Sequence, residues 1–261
     1  MTNISAHVSP TTVKMQSSAL IRFLSELDVA ENTLSHNDFG ERLGRLIGVS
    51  DSIALAAAHS KLRRAGLAES DIKLNPETND IEEKTQQVRA ASIMFINKSF
   101  EHDAGAASLP FPVPNAAGTH DTPLAYEPYF RLYATHQREL DSKVQSLRAE
   151  VRQAISEAHP KLAQLSALDE ALDNTLSPHT RKLFVSIPKL LEKRFRSLQV
   201  SLNTVNTHST TDPQQCLQPG GWLAQFRDEM KQVLLAEFEL RLQPVTGMIK
   251  AFNKEVNAGH A

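Results

Sequence analysis

The sequence predicts an all-α protein. Apolar residues recur every three or four positions over most of the chain, which is the period of a helix with one buried face. No stretch alternates apolar and polar residues in the way that β-strands do. We expect short N-terminal helices, a proline-rich linker and a C-terminal antiparallel helical bundle or coiled-coil hairpin.

Composition limits the partners that the chain can attract as a whole. Its 261 residues include 28 basic and 30 acidic side chains, a formal charge of −2, so affinity for nucleic acid or membranes requires a local patch. A single cysteine excludes an internal disulfide framework and suits a reducing compartment. The N-terminus lacks a signal-peptide pattern, and no run of about 18 apolar residues occurs. We therefore expect a cytoplasmic protein.

The N-terminal helical region is expected at 15–100 and the linker at 101–127. Helical spacing with end signals covers 17–28, 36–48, 51–66 and 82–100. The linker and the residue that follows it hold five prolines, at 110, 112, 114, 123 and 128. Spaced prolines forbid continuous helix and favour extended chain, so we expect a mobile connector, with an SH3-type ligand as the alternative.

The C-terminal bundle is expected at 128–256. Tyr133 begins a heptad pattern that ends at His159, because Pro160 forces the preceding residue out of helical geometry. Further helices are expected at 160–176, from 177 to about 205, and at 221–243, where Pro244 should end the helix. A short helix should follow, ending near Val256.

The helix that contains "PKLLEKRFRSLQVSL" (188–202) is strongly basic. At about 100° per residue, its apolar side chains gather on one broad face. Four cations gather opposite, and we call them the basic stripe: Lys182, Lys189, Lys193 and Arg196. The apolar residues are Leu183, Phe184, Ile187, Leu191, Phe195, Leu198, Leu202 and Val205.

This arrangement favours packing in a bundle over lying on a membrane. Interfacial helices place cations beside the apolar face, where they reach lipid headgroups. Here the apolar face should be buried and the basic stripe left outside, as a docking surface for an acidic partner. Pro188 lies inside the helix and should kink or restart it, because the carbonyl of Phe184 loses its usual donor.

Two carboxylates fall on apolar helix faces, where each needs a cation or water. Asp169 lies among leucines, and Arg194 on the flank of the basic helix, or a lysine, is its expected partner. Glu237 lies on the apolar face of the 221–243 helix, with Arg241 four residues later as its expected partner. We interpret both as structural charges.

A helix-turn-helix-like element at 41–64 gives the alternative function, a nucleic-acid-binding regulator. Its second helix would present Asp51, Leu55 and Ala56 to DNA, a poor set for phosphate or base contact. Nucleic-acid binding is therefore disfavoured.

No pattern in the chain indicates an enzyme. Its ten histidines include no pair at metal-ligand spacing, and neither a nucleophile motif nor a phosphate loop occurs. Cys216 lies in a polar connector without a nearby cation. We predict no catalytic residue, cofactor, metal or small-molecule substrate.

Several stretches resemble a proteobacterial family known only as a domain of unknown function. They are "SALIRFLSELDV", "RLGRLIGVSDSIALAAA", "LAQLSALDEAL", "IPKLLEKRFRSL" and "WLAQFRDEMKQVLLAEFELRLQPVTGMI". The resemblance brings no activity to carry over, but it implies a cytosolic accessory to an envelope assembly. Together with the patterns above, it favours a non-enzymatic helical scaffold or adaptor that binds another protein or itself through exposed heptad faces and the basic stripe.

Overall fold

The computed structural model describes residues 19–27, 51–53, 56, 57, 60, 79–101, 109–114, 124–203 and 216–258. The fold is all-α, as predicted, and the described residues contain no strand. No described helix combines the length and the apolarity that crossing a membrane requires. The helices are α1 (Ala19–Leu27), α2 (Asn79–Ser99), α3 (Glu127–Ala158), α4 (Pro160–Asn203) and α5 (Trp222–Ala258).

Contacts along the three long helices define their directions. Tyr133 and Asp141 of α3 bond Glu237 and Arg241 of α5, so α3 and α5 run parallel. α4 runs antiparallel to both, because it returns from α3 through one tight turn. α2 packs against α3 and α5, and α1 against α4 and α5. The core lies between the three long helices.

The turn between α3 and α4 follows from two residues. His159 is extended, with φ −161° and ψ 136°, as expected of a residue that precedes proline. Pro160 then opens α4 at a position where its missing N–H costs nothing. The Nδ1 atom of His159 accepts a hydrogen bond of 3.0 Å from the backbone N–H of Lys161. The His159 side chain therefore caps α4, whose first residue is Pro160.

The helix boundaries predicted at 177 and at Pro244 are wrong, and α4 does not restart at Pro188. α4 continues through Pro178 and Pro188, and α5 continues through Pro244. At Pro188 the structure shows the compensation: Gln137 Nε2 of α3 donates to the freed carbonyl of Phe184 at 3.0 Å. The Tyr126 hydroxyl donates to the carbonyl of Pro188 itself at 2.7 Å. The bond from Gln137 thus replaces the one that the proline removes, and the bond from Tyr126 holds α4 at the same point.

The heptad positions of α3 are used inside the bundle. Most of them are buried, and Gln137 and Ala154 are half-buried. The fully buried members are Tyr133, Leu140, Val144, Leu147, Val151 and Ala158. The period of the sequence therefore identifies the face of α3 that meets its neighbours.

Part of the predicted linker lies on the bundle. The N–H of Phe111 donates to the carbonyl of Ser99 at 2.8 Å, and the Phe111 ring is buried against Phe100 and Tyr129. Prolines that flank Phe111 keep this stretch extended. Phe111 therefore anchors this stretch between the end of α2 and the start of α3.

An aromatic cluster closes the core where α3 begins and α4 ends. The Phe195 ring lies 5.1–5.5 Å, between centroids, from four neighbouring rings, and only 1% of the residue is exposed. Those rings belong to Tyr126, Tyr129, Trp222 and Phe226. Phe195 thereby joins α4 to both other long helices.

Replacing Phe195 by alanine should lower the free energy of unfolding by about 3–5 kcal/mol, because it removes buried area and leaves a cavity. Urea denaturation followed by circular dichroism measures the change. Val200→Ala, at a 61% exposed position of the same helix, is the matched control and should change stability by less than about 0.5 kcal/mol. Equal effects of the two substitutions would contradict this packing.

His136 connects α2 to α3 and gives the fold a dependence on pH. Its Nδ1 donates to the Leu132 carbonyl at 3.0 Å, and its Nε2 lies 3.0 Å from the Ser99 hydroxyl. Burial lowers the pKa of His136, which keeps the folded imidazole neutral. The unfolded chain therefore binds a proton at a higher pH than the folded chain does.

The free energy of unfolding should consequently fall as the pH drops below about 6.5, the ordinary pKa of histidine. Above that pH the contribution of His136 is fully present. Urea denaturation between about pH 7 and pH 5 tests this, with His136→Gln as a comparison that stays neutral. The wild-type curve should be steeper than that of the variant, and parallel curves would show that His136 does not titrate on unfolding.

Candidate protein-binding surface on α4

The four cations of the basic stripe lie on the outer side of α4. All four are exposed, whereas Phe184, Ile187, Leu191, Phe195 and Leu198 on the opposite side are buried. Arg196 bonds Glu192 one turn earlier at 2.6 Å, and 70% of its side chain remains exposed. Lys182, Lys189 and Lys193 pair with no carboxylate of the described residues. The bundle therefore positions these lysines without neutralising them.

A pocket of about 510 Å³ lies beside the basic stripe, between α4 and the start of α3. Tyr126 and Phe195 contribute aromatic surface, and Phe130 lines it with 39% of the residue exposed. Lys189 and Arg196 of the stripe also line this pocket. Apolar surface and positive charge thus lie side by side.

Leu183 corrects the predicted apolar face. It is 46% exposed, although the helical period grouped it with the buried residues. Its angular position lies at the edge of that face, where α4 borders a groove instead of a neighbouring helix. The side chain of Leu202 and all of Val205 lie outside the described residues.

Asp169 is buried and paired, but not with Arg194. Arg148 of α3 binds it through two hydrogen bonds of 2.8 and 2.6 Å, and Arg152 adds one of 2.6 Å. Both arginines also bond Asp173, at 2.7 and 2.9 Å. Two arginines one turn apart on α3 therefore clamp two aspartates one turn apart on α4.

The surroundings of Asp173 in the clamp lower the pKa of its carboxyl group. Burial would raise the pKa of Asp173, but hydrogen bonds from Ser177 and Arg152 and the charges of both arginines outweigh it and hold that pKa below its usual range. The Ser177 hydroxyl donates to Asp173 at 2.6 Å. Asp173 thus remains ionised at neutral pH.

Arg194 instead joins α4 to α5. It donates two hydrogen bonds to Glu229, at 2.8 and 2.7 Å, a bidentate geometry. Arg194 lies about 25 residues beyond Asp169 on the same helix, about 38 Å along its axis, so the expected contact between them is geometrically excluded. The expected contact assumed that one helix ends at 176 and that the next helix folds back against it.

Glu237 is the most deeply buried carboxylate of the described residues, with 1% of the residue exposed. The Tyr133 hydroxyl donates to it at 2.8 Å, Gln137 Nε2 approaches both carboxylate oxygens, and Arg241 donates at 2.9 and 2.7 Å. Arg241 lies four residues after Glu237 and is the partner that we predicted for it. It also donates to Asp141 at 2.6 Å.

The hydrogen bonds around Glu237 also fix the state of its neighbours. Burial, reinforced by the negative charge of Glu237, raises the pKa of Tyr133 well above its usual range, so the hydroxyl stays protonated and donates. The Arg241 guanidinium lies 3.9 Å from the centroid of the Phe184 ring on α4. One glutamate and one arginine thereby connect all three long helices.

A groove of about 640 Å³ runs between the aspartate clamp and the Glu237 cluster. Leu172, Leu176 and Leu240 line it, and α1 contributes Leu20 and Leu24. Arg148 and Arg241 also line the groove, but both guanidinium groups are bonded to carboxylates. The groove wall is therefore mostly apolar, and both of these arginines already have partners.

Charge-assisted hydrogen bonds saturate the buried carboxylates, so their chemistry is that of acceptors held in place. In the described part of the chain, no group of three or more histidine, cysteine, aspartate or glutamate side chains could hold a metal ion. Cys216 is buried. The arrangement fixes helix register and leaves the outer side of α4 as the candidate functional surface.

Sequence reasoning did not find Arg148, Arg152 or Glu229. A signal for the first two was present, because arginines spaced by four on one helix match aspartates spaced by four on the next. Glu229 carried no comparable pattern.

The helix-turn-helix-like element lies mostly outside the described residues. Of 41–64, residues 51–53, 56, 57 and 60 are described, and they are helical. Asp51 lies 3.3 Å from the imidazole of His179 on α4. The described part of this element therefore contacts the bundle.

Replacing Asp169 by leucine should lower the free energy of unfolding by about 3–5 kcal/mol, because it leaves two guanidinium groups poorly compensated in a buried place. Thermal and urea unfolding measure the loss. Glu127→Gln removes the exposed pair with Arg131 and should cost less than about 1 kcal/mol. A loss at Asp169 no larger than at Glu127 would show that the clamp is not a buried network.

Comparisons with known proteins identify a family but no function. No curated protein and no solved structure matches the chain. The family described as "Protein of unknown function (DUF3348)" matches residues 7–254, nearly the whole sequence. This confirms the resemblance to a family of unknown function, and the chain belongs to that family.

Proposed function

We propose that this protein is a non-enzymatic helical scaffold or adaptor that binds another protein through the basic stripe on α4. The observation that supports the proposal is the outward position of Lys182, Lys189, Lys193 and Arg196. The lysines contribute no ion pair within the described residues, and the fold does not need them. Cations that a helix leaves in solvent, all on one side, are available to an acidic partner.

The inner and outer faces of α4 contribute very different amounts to the stability of the fold. Burying the large apolar side chains of its inner face contributes on the order of 10 kcal/mol before opposing terms. An exposed pair such as Glu192–Arg196 contributes less than about 1 kcal/mol. The inner face therefore determines the fold, and the outer charges can be changed without unfolding the protein.

The heptad positions of α3 support the same choice of surface. They were the other candidate for binding a partner or a second copy, but they pack inside the bundle. The proposal therefore rests on α4 alone. We place this role in the cytoplasm, which the single cysteine supports, and as an accessory to the envelope assembly that the resemblance implies.

Affinity purification from the native cell tests the proposal. Replacing all four residues of the basic stripe by glutamate should abolish recovery of the partner, because charge reversal turns attraction into repulsion. Mass spectrometry compares the proteins recovered with the wild type and with the variant. Envelope proteins among the partners lost would place the adaptor at such an assembly.

A second charge-reversal variant controls for net charge. Lys98, Arg138, Lys250 and Lys254 are exposed cations on other helices, and replacing them by glutamate changes the charge by the same amount. This control should keep the partner. Loss of the partner in both variants, or in neither, would contradict docking on α4.

A further inference from the structure

We infer that the segment that binds α4 is acidic and amphipathic, with an apolar side chain that enters the pocket beside the basic stripe. This inference rests on the proposed function and adds the chemistry of the partner. It is drawn from the composition of the outer side of α4, where two exposed valines accompany the four cations, and from the pocket between α4 and α3.

Two exposed valines lie among the cations. Val185 is 64% exposed and Val200 is 61% exposed; Val200 falls within the angular range of the basic stripe, and Val185 lies about 20° outside it. A partner that offered only negative charge would leave both in water. A partner whose apolar side chains recur every three or four residues among carboxylates would cover the valines and meet the cations at the same time.

The pocket supplies the anchoring point for such a partner. Aromatic surface from Tyr126, Phe130 and Phe195 lines it, and its volume of about 510 Å³ accommodates a leucine or aromatic side chain. Lys189 and Arg196 line the same pocket, so carboxylates next to the anchor would reach them. The exposed Phe130 ring lies beside two cations. A partner segment with one apolar residue flanked by acidic residues would complement this arrangement.

Acidic residues of this surface distinguish a peptide from other polyanions. Glu127 and Glu192 also line the pocket. Both are ion-paired with an arginine four residues later, so the pocket offers a continuous phosphate backbone or an anionic lipid surface little net positive charge. A peptide avoids this by placing its uncharged anchor at the pocket and its carboxylates along Lys182, Lys189 and Lys193.

The dimensions of the surface set the length of the partner segment. From Lys182 to Val200 the helix advances about 27 Å. A helical segment of about 18 residues spans this distance. α4 is continuously helical over this range, with Pro188 inside it.

Peptide binding to the full chain tests the inference by fluorescence anisotropy. The first probe is a labelled helical peptide of about 18 residues, rich in glutamate, with leucine or phenylalanine at every third or fourth position. The second has serine at each of those apolar positions. The first should bind at least about tenfold more tightly than the second, because only it buries apolar surface. Added salt should weaken the binding of both.

Two variants of the protein separate the apolar from the ionic contribution. Phe130→Ala, and separately Val185→Ser with Val200→Ser, should reduce the preference for the first peptide by about fivefold or more while leaving the second unchanged. Circular dichroism should show wild-type thermal unfolding, since all three positions are exposed. Replacing the basic stripe by glutamate should abolish binding of both peptides.

Three results would overturn the inference. The first is equal binding of the two peptides. The second is an unchanged preference for the first peptide in the valine and phenylalanine variants. The third is tighter binding of single-stranded DNA or phosphatidylglycerol vesicles than of the first peptide. The first two results would leave docking through charge intact, because the stripe could still capture an acidic partner. Loss of the partner from both glutamate variants in the cell would instead remove the proposed function itself.

Discussion

The bundle depends on the need of buried carboxylates for cations. Glu237 and Asp169 lie on helix faces that are otherwise apolar, where an unpaired charge would cost several kcal/mol. Each is bonded by side chains from a neighbouring helix, Tyr133 and Gln137 in one case and two arginines in the other. Sliding α3 by one turn would separate these groups, whereas an apolar core alone tolerates such shifts at a smaller cost. The charges therefore select one register among several that burial would allow.

The same constraint explains how α4 continues through Pro188. Gln137 bonds both Glu237 and the carbonyl that Pro188 leaves without a donor. One amide side chain thus serves a charge on α5 and a backbone defect on α4. Because both needs are met from α3, the middle of the bundle is stabilised by a few polar residues whose positions are mutually dependent. A substitution at Gln137 would be felt by all three long helices.

Much of the architecture could be predicted because it depends on residues that are close together in the sequence. Helical period, the His159–Pro160 turn, the outward basic stripe and the carboxylates on apolar faces all follow from residues within a few turns of one another. The Asp169–Arg194 contact failed because it assumed a chain reversal at Pro178, which exists only if the helix breaks there. Whether a proline breaks a helix depends on donors elsewhere in the fold, and Gln137 lies about 50 residues before Pro188. The sequence positions of such donors carry no local signal.

Because Tyr126 and Gln137 hold α4 at Pro188 and Phe184, the helix cannot roll about its axis without losing hydrogen bonds on its buried side. Its outer surface is thus rigid before any partner arrives. On the proposed function, a helix held in this way would lose little backbone entropy on association, so more of that cost would fall on the partner segment. Attraction by the lysines would accelerate encounters, and the ordered helix would slow dissociation. Two polar contacts inside the bundle would thereby favour a long-lived complex on its outside.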